Sequence, residues 1–115
     1  MDFKDVSVKK SGIGQFDDGL GVFANRDFKK GETVIKWNLK KLTQEEYKTL
    51  PNYEKNNFCH VRNGIIYYYS DPERHVNRSK SPNVFSDIQQ EANIAIRDIK
   101  QGEELSISDT TQEDF

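Results

Sequence analysis

The chain has 115 residues, of which 34% are hydrophobic, 31% charged and 11% aromatic. That length suits one domain with a single core, and the aromatic content excludes a disordered chain, which pairs low hydrophobicity with high net charge. A formal net charge of −2 and a pI near 5.7 argue against a dedicated nucleic-acid binder, whose footprint is a basic face.

The chain opens with Met1-Asp2-Phe3-Lys4, which starts no apolar stretch of signal-peptide length, and no later segment approaches a membrane span. The single cysteine, Cys59, leaves no intramolecular disulfide and fits a reducing compartment. The expectation is a cytoplasmic protein with no membrane partner. Leu20 to Ala24 alternates as a strand, a polar stretch ending in Gly31-Glu32 turns, and Thr33 to Trp37 leaves as a second strand. Thr43 and Glu46 have the spacing of a capping box, so a short helix is predicted from there to just before Pro51. Phe58 to Val61 and Ile65 to Tyr69 flank Asn63-Gly64, the strongest short signal for a tight hairpin turn. Pro72 to Val76 has room for one helical turn, and strands follow at Asn83 to Ile88, Glu91 to Arg97 and Glu104 to Ser108. The sum is mainly β, with short strands and one or two short helices.

One segment occurs twice. Ala24-Asn25-Arg26-Asp27-Phe28-Lys29-Lys30-Gly31-Glu32-Thr33-Val34 returns as Ala95-Ile96-Arg97-Asp98-Ile99-Lys100-Gln101-Gly102-Glu103-Glu104-Leu105, with six of eleven positions identical at an offset of 71. Two copies are too few for a solenoid. They point to a pseudo-symmetric β-structure in which each copy runs strand, turn, strand.

Tyr67 and Tyr69 share one face of their strand and Tyr68 takes the other. Aromatic runs on strands usually pack against a core, and a ring face can also hold a cation. Cys59 and His60 are neighbours on a strand, so they point to opposite faces, and with no further cysteines no metal site is indicated. Gly19 and Gly21 read as turn glycines or as points of close approach, and Asn77 as a loop asparagine that satisfies nearby backbone.

Three segments, in order, resemble the SET family. Gly19-Leu20-Gly21-Val22-Phe23-Ala24, with Arg26-Asp27 and Gly31-Glu32 downstream, is similar to its opening motif. Arg74-His75-Val76-Asn77-Arg78-Ser79-Lys80-Ser81-Pro82-Asn83 is similar to its asparagine signature, and Ile99 to Ile107 to its closing segment. The resemblance covers about residues 6–109 of a single domain spanning 1–115, leaving 110–115 as an acidic tail. It implies a SET β-clip with a C-terminal pseudoknot, and protein-lysine N-methyltransferase activity that uses S-adenosylmethionine and no metal. It implies that Gly19, Leu20, Gly21, His75, Asn77 and Arg78 surround the cofactor, with His75 in a usually aromatic position and Arg78 where the family has histidine. Its partner would be a lysine-containing protein or peptide.

The closing motif normally ends in a tyrosine, and here the aligned residue is Asp109. Asp109 therefore stands at the catalytic position, and Tyr67 or Tyr69 is a candidate to line a lysine channel or to stack on the cofactor. A homodimer is one source for the missing aromatic. The alternative is a catalytically inactive SET module that binds a peptide or protein partner.

Overall fold

The computed structural model describes residues 3–12 and 19–109; the acidic tail from 110 lies outside them. Ten short strands among the described residues carry the architecture. β1 (Val6–Lys10) pairs antiparallel with β2 (Leu20–Ala24). β3 (Thr33–Lys36), β9 (Ala92–Ala95) and β8 (Val84–Asp87) form a three-stranded antiparallel sheet with β9 in the centre. A second three-stranded sheet orders β4 (Lys40–Leu42), β6 (Ile65–Tyr68) and β5 (Cys59–Arg62). The last pair is parallel: β7 (Asn77–Ser79) lies beside β10 (Ser106–Ser108), with Asn77 opposite Ser106.

The predicted helix is present as α1 (Gln44–Lys48), and its capping box is complete. The Glu46 amide donates to Thr43 Oγ1 at 3.1 Å and the Thr43 amide to Glu46 Oε1 at 2.9 Å. Pro51 does not merely end it. Proline also suits a helix start, where a missing amide loses nothing, and α2 (Asn52–Phe58) begins directly after it. Phe58, read from sequence as the start of a strand, is the buried last residue of α2. The β5–β6 hairpin turns at Asn63-Gly64, both with positive φ as this turn demands.

The repeated segments face each other. The Phe28 amide donates to the Ile99 carbonyl at 2.8 Å and the Ile99 amide to the Phe28 carbonyl at 2.9 Å. The flanking turn contacts come in matching pairs across this pseudo-dyad. Gly102 donates to Ala24 O and Gly31 to Ala95 O, both at 2.8 Å, while Ala24 donates to Glu103 O and Ala95 to Glu32 O, both at 2.9 Å. Asp27 accepts the Gln101 amide at 2.8 Å and Asp98 accepts the Lys30 amide at 2.9 Å. Gly31 and Gly102 have φ of +92° and +93°, a region costly for a side chain.

Phe28 and Ile99 are the centre of the core, 2% and 1% exposed, surrounded by Val22, Val84 and Leu105. The C-terminal segment is tied in by Asn83, which is 2% exposed. Its side chain donates to Glu104 O and accepts from the Ser106 amide, both at 2.9 Å. This bridge, with the parallel β7–β10 pair, fixes the crossing of the C-terminal strand in the β-clip.

Candidate functional site

β7 is a wall with a different chemistry on each side. Successive strand residues point to opposite faces, so Asn77 faces one way and its neighbours Val76 and Arg78 the other.

On the Asn77 side lies a buried polar cluster. Asn77 is fully buried, and its amide nitrogen donates to Leu20 O and to Glu104 Oε2, each at 2.9 Å. The Ser11 hydroxyl donates to the same Glu104 carboxyl at 2.8 Å. Gly21 is opposite this group, where a Cβ would stand 2.3 Å from Glu104 Oε2 and 2.8 Å from Ser11 Cβ. The close approach that Gly21 permits is therefore made by the protein's own Glu104. Gly19 differs: its φ is +64° and nothing described lies within 4 Å of where its Cβ would be.

On the Val76 and Arg78 side is a cavity of about 270 Å³. Trp37, His60, Tyr69, Glu73 and Ile107 form much of its wall, and α2 contributes Asn57 and Phe58. Trp37 donates through Nε1 to Asn93 Oδ1 at 2.8 Å and meets the Tyr69 ring edge-on, centroids 6.0 Å apart. Burial pushes the Tyr69 phenol far above its ordinary value, so it stays protonated and is a donor. Burial, aided by the Arg62 charge, lowers His60 to about 4, so it is neutral at pH 7. Burial raises Glu73, 7% exposed, above the ordinary carboxylate range, against amide hydrogen bonds from Asn38 and Ser70 that oppose the shift.

α2 is fastened over this side by Arg74, which pairs with Glu54 and stacks on the Phe58 ring at 4.0 Å. Tyr68 also donates to Glu54, at 2.6 Å. Burial works against the Glu54 charge, but the bonds from Tyr68 and Arg74 outweigh it and hold its carboxyl below the ordinary range.

The residues singled out from sequence thus fall into separate places. Leu20, Gly21 and Asn77 meet in the cluster, and Gly19 directly precedes it on β2's N-terminal side. Arg78 and Tyr69 line the cavity. Tyr67 packs on the His60 ring, sharing the Tyr69 face as expected, but is not part of the cavity wall. His75 is a packed histidine, 7% exposed, with Nε2 2.7 Å from Asp71 Oδ1. Asp109 is exposed, its amide donating to Ser79 O at 3.1 Å. Cys59 and His60 both reach the cavity despite their alternation, because the strand begins at the corner where α2 ends. Ser11, Glu104, Glu73 and Trp37 were not anticipated as site residues. Only Glu104 had a signal, as the residue after the Gly-Glu of the second repeat.

Comparisons with known proteins identify the fold and the family. The family description "SET domain" matches residues 19–108. No curated protein matches the chain by sequence. Among solved structures, a candidate histone methyltransferase of Plasmodium falciparum superposes with a TM-score of 0.71 at 21% identity, covering 96% of this chain and 97% of that one. A humanized mutant of the Chaetomium thermophilum Polycomb Repressive Complex 2, bound to an inhibitor, gives 0.65 at 27% identity. The same complex in an autoinhibited conformation, bound to S-adenosylmethionine, gives 0.66 at 25%. The match covers 91% of this chain in both, and 15% of those chains. The chain belongs to the SET-domain family.

Among the described residues no group of three or more His, Cys, Asp or Glu side chains is placed to hold a metal, and no helix is long and apolar enough to cross a membrane.

Proposed function

We propose that the chain is an S-adenosylmethionine-dependent protein-lysine N-methyltransferase whose substrate is a lysine-containing protein or peptide. The observation that carries this reading is the division at β7, with the buried Asn77 cluster on one side and a side-chain-sized cavity on the other. A volume of about 270 Å³ falls just below the usual range for whole small-molecule ligands, so the cavity suits one long side chain.

The residues fit the cofactor in part. On the motif match Gly19, Leu20 and Arg78 would approach it through their backbones, whereas the Asn77 amide nitrogen and the space beside Gly21 are taken by Glu104. When bound, S-adenosylmethionine supplies a methyl group on a sulfonium. The chain's own task is to align the amine and to favour its neutral form, since a free lysine has a pKa of about 10.4. The aromatic wall of Trp37 and Tyr69 disfavours charge by desolvation, and neutral His60 adds none. With Asp109 exposed outside the cavity, Tyr69 is the residue that brings a phenol to its wall. Calorimetric titration with S-adenosylmethionine tests the reading. Micromolar binding that Asn77→Ala weakens, together with methyl transfer to basic peptides that Tyr69→Phe slows about tenfold or more, is expected. No heat from well-folded protein would overturn it.

A second reading is a SET module that binds its partner without turnover. It is favoured by Asp109 at the closing position and by the absence of any tyrosine after Tyr69 in the sequence. Asp109→Tyr separates the two. Methyl transfer that appears only in this variant supports the binding module, and transfer by the unaltered chain removes it.

A further inference from the structure

We propose that Glu73 is the recognition residue of the cavity, receiving the primary amine at the tip of the guest side chain through its Oε1. This rests on the reading that the cavity is the lysine-accepting side of the site. Glu73 begins the short 3-10 turn Glu73–His75 and is 7% exposed. Its two oxygens are used unequally. Oε2 accepts the Asn38 amide at 2.8 Å and the Ser70 amide at 3.2 Å, which locks the side chain in place. Oε1 is buried and has no hydrogen-bond partner among the described residues. A buried acceptor without a donor is unfavourable, and a hydrogen bond from a charged donor is among the stronger ways to relieve it.

The other charges on the wall leave this role to Glu73. Arg74 is paired with Glu54 and stacked on Phe58, Arg78 donates to Ser108 O at 3.1 Å, and Glu73 is the one carboxyl among the described residues that line the cavity. Geometry also selects the kind of cation. A guanidinium prefers two acceptor oxygens in a fork, whereas an ammonium is a compact point donor. With Oε2 already held by two amides, a single oxygen remains, which suits a lysine better than an arginine. Recognition and reactivity then divide: the charged hydrogen bond selects the amine, and the amine gives a proton to water before it can attack.

The test is an NMR titration of the chain with n-butylammonium, n-butylguanidinium and butan-1-ol at fixed pH and ionic strength, following the Tyr69 and Glu73 signals. Butylammonium is expected to bind best and to move the Glu73 carboxyl carbon resonance in the unaltered protein. Glu73→Gln keeps an acceptor for the two amides and turns a donor toward the guest, and is expected to weaken butylammonium about tenfold or more. Equal binding of butylammonium and butan-1-ol, a Glu73 carboxyl resonance that does not move, or unweakened binding by a folded Glu73→Gln protein would each overturn the proposal. Calorimetry with S-adenosylmethionine on the unaltered chain reports separately on the methyltransferase reading. Amine selection without cofactor binding leaves Glu73 in its role and removes the enzyme.

Discussion

Gly21 shows how one residue type can answer two different needs. From sequence it belongs to a glycine pair that lets a cofactor come near. In the structure the missing side chain makes room for Glu104, whose carboxyl collects the Ser11 hydroxyl and the Asn77 amide. Gly21→Ala would put a methyl group 2.3 Å from Glu104 Oε2, closer than real contacts allow, so the cluster must shift. Overpacking of this kind typically costs about 1–3 kcal/mol, and urea unfolding of the variant is expected to show a loss in that range. Asn83 makes a second case. Asn83→Ala removes a donor and an acceptor that serve Glu104 O and the Ser106 amide in a buried place. Leaving such groups unpaired costs about 1–3 kcal/mol each, so the midpoint of denaturation should fall at least as far as in Gly21→Ala. Neither Glu104 nor Asn83 could be placed from sequence, because their partners lie 21 to 93 positions away and no local spacing encodes them.

The two repeated turns are each other's caps. Asp27 reaches the amide of Gln101 and Asp98 reaches that of Lys30, over a shared floor of Phe28 and Ile99. Asp27→Ala and Asp98→Ala should therefore destabilise by similar amounts, roughly 0.5–1.5 kcal/mol each. A double-mutant cycle should show coupling, since contacting sites do not add; independent losses would mean the turns are supported separately. Sequence identity between the copies announced the symmetry, and the alternation of β2, β3, β8 and β9 announced their strands. Other elements gave no warning. β4 is Lys-Lys-Leu, exposed at two of three positions, so it carries no alternation. β7, Asn-Arg-Ser, is polar and three residues long, and exists because β10 lies beside it. α2 was hidden by Pro51, which ends one helix and starts another. The site was legible to the same degree. The motif residues of the cluster could be named, whereas much of the cavity wall comes from α2, the start of β5 and the residues just after β3 and β6, none of which carries a motif for it.

Across the whole molecule, two groups of shifted acidity on the cavity wall pull stability in opposite directions with pH. His60 is lowered from 6.5 to about 4 by burial and by Arg62. Between those values the unfolded chain binds the proton more readily, so this residue's contribution is intact above pH 6.5 and is lost as pH falls toward 4. Glu73 is raised, chiefly by burial. Its contribution is present below the unfolded carboxyl value of 4.5 and is lost as pH rises through its folded value. Glu54 and Glu103 are lowered from that same 4.5, so their stabilisation disappears only at more acidic pH and leaves the interval above it to His60 and Glu73. Melting temperatures measured from pH 4.5 to 6.5 should separate the two. His60→Gln is expected to rise less with pH than the unaltered chain, because the group that favours high pH is gone. Glu73→Gln is expected to rise more steeply, because the group that favours low pH is gone. The same slope in all three proteins would mean that neither side chain titrates within the folded cavity, and the water-poor wall on which the selection of a lysine amine depends would not exist.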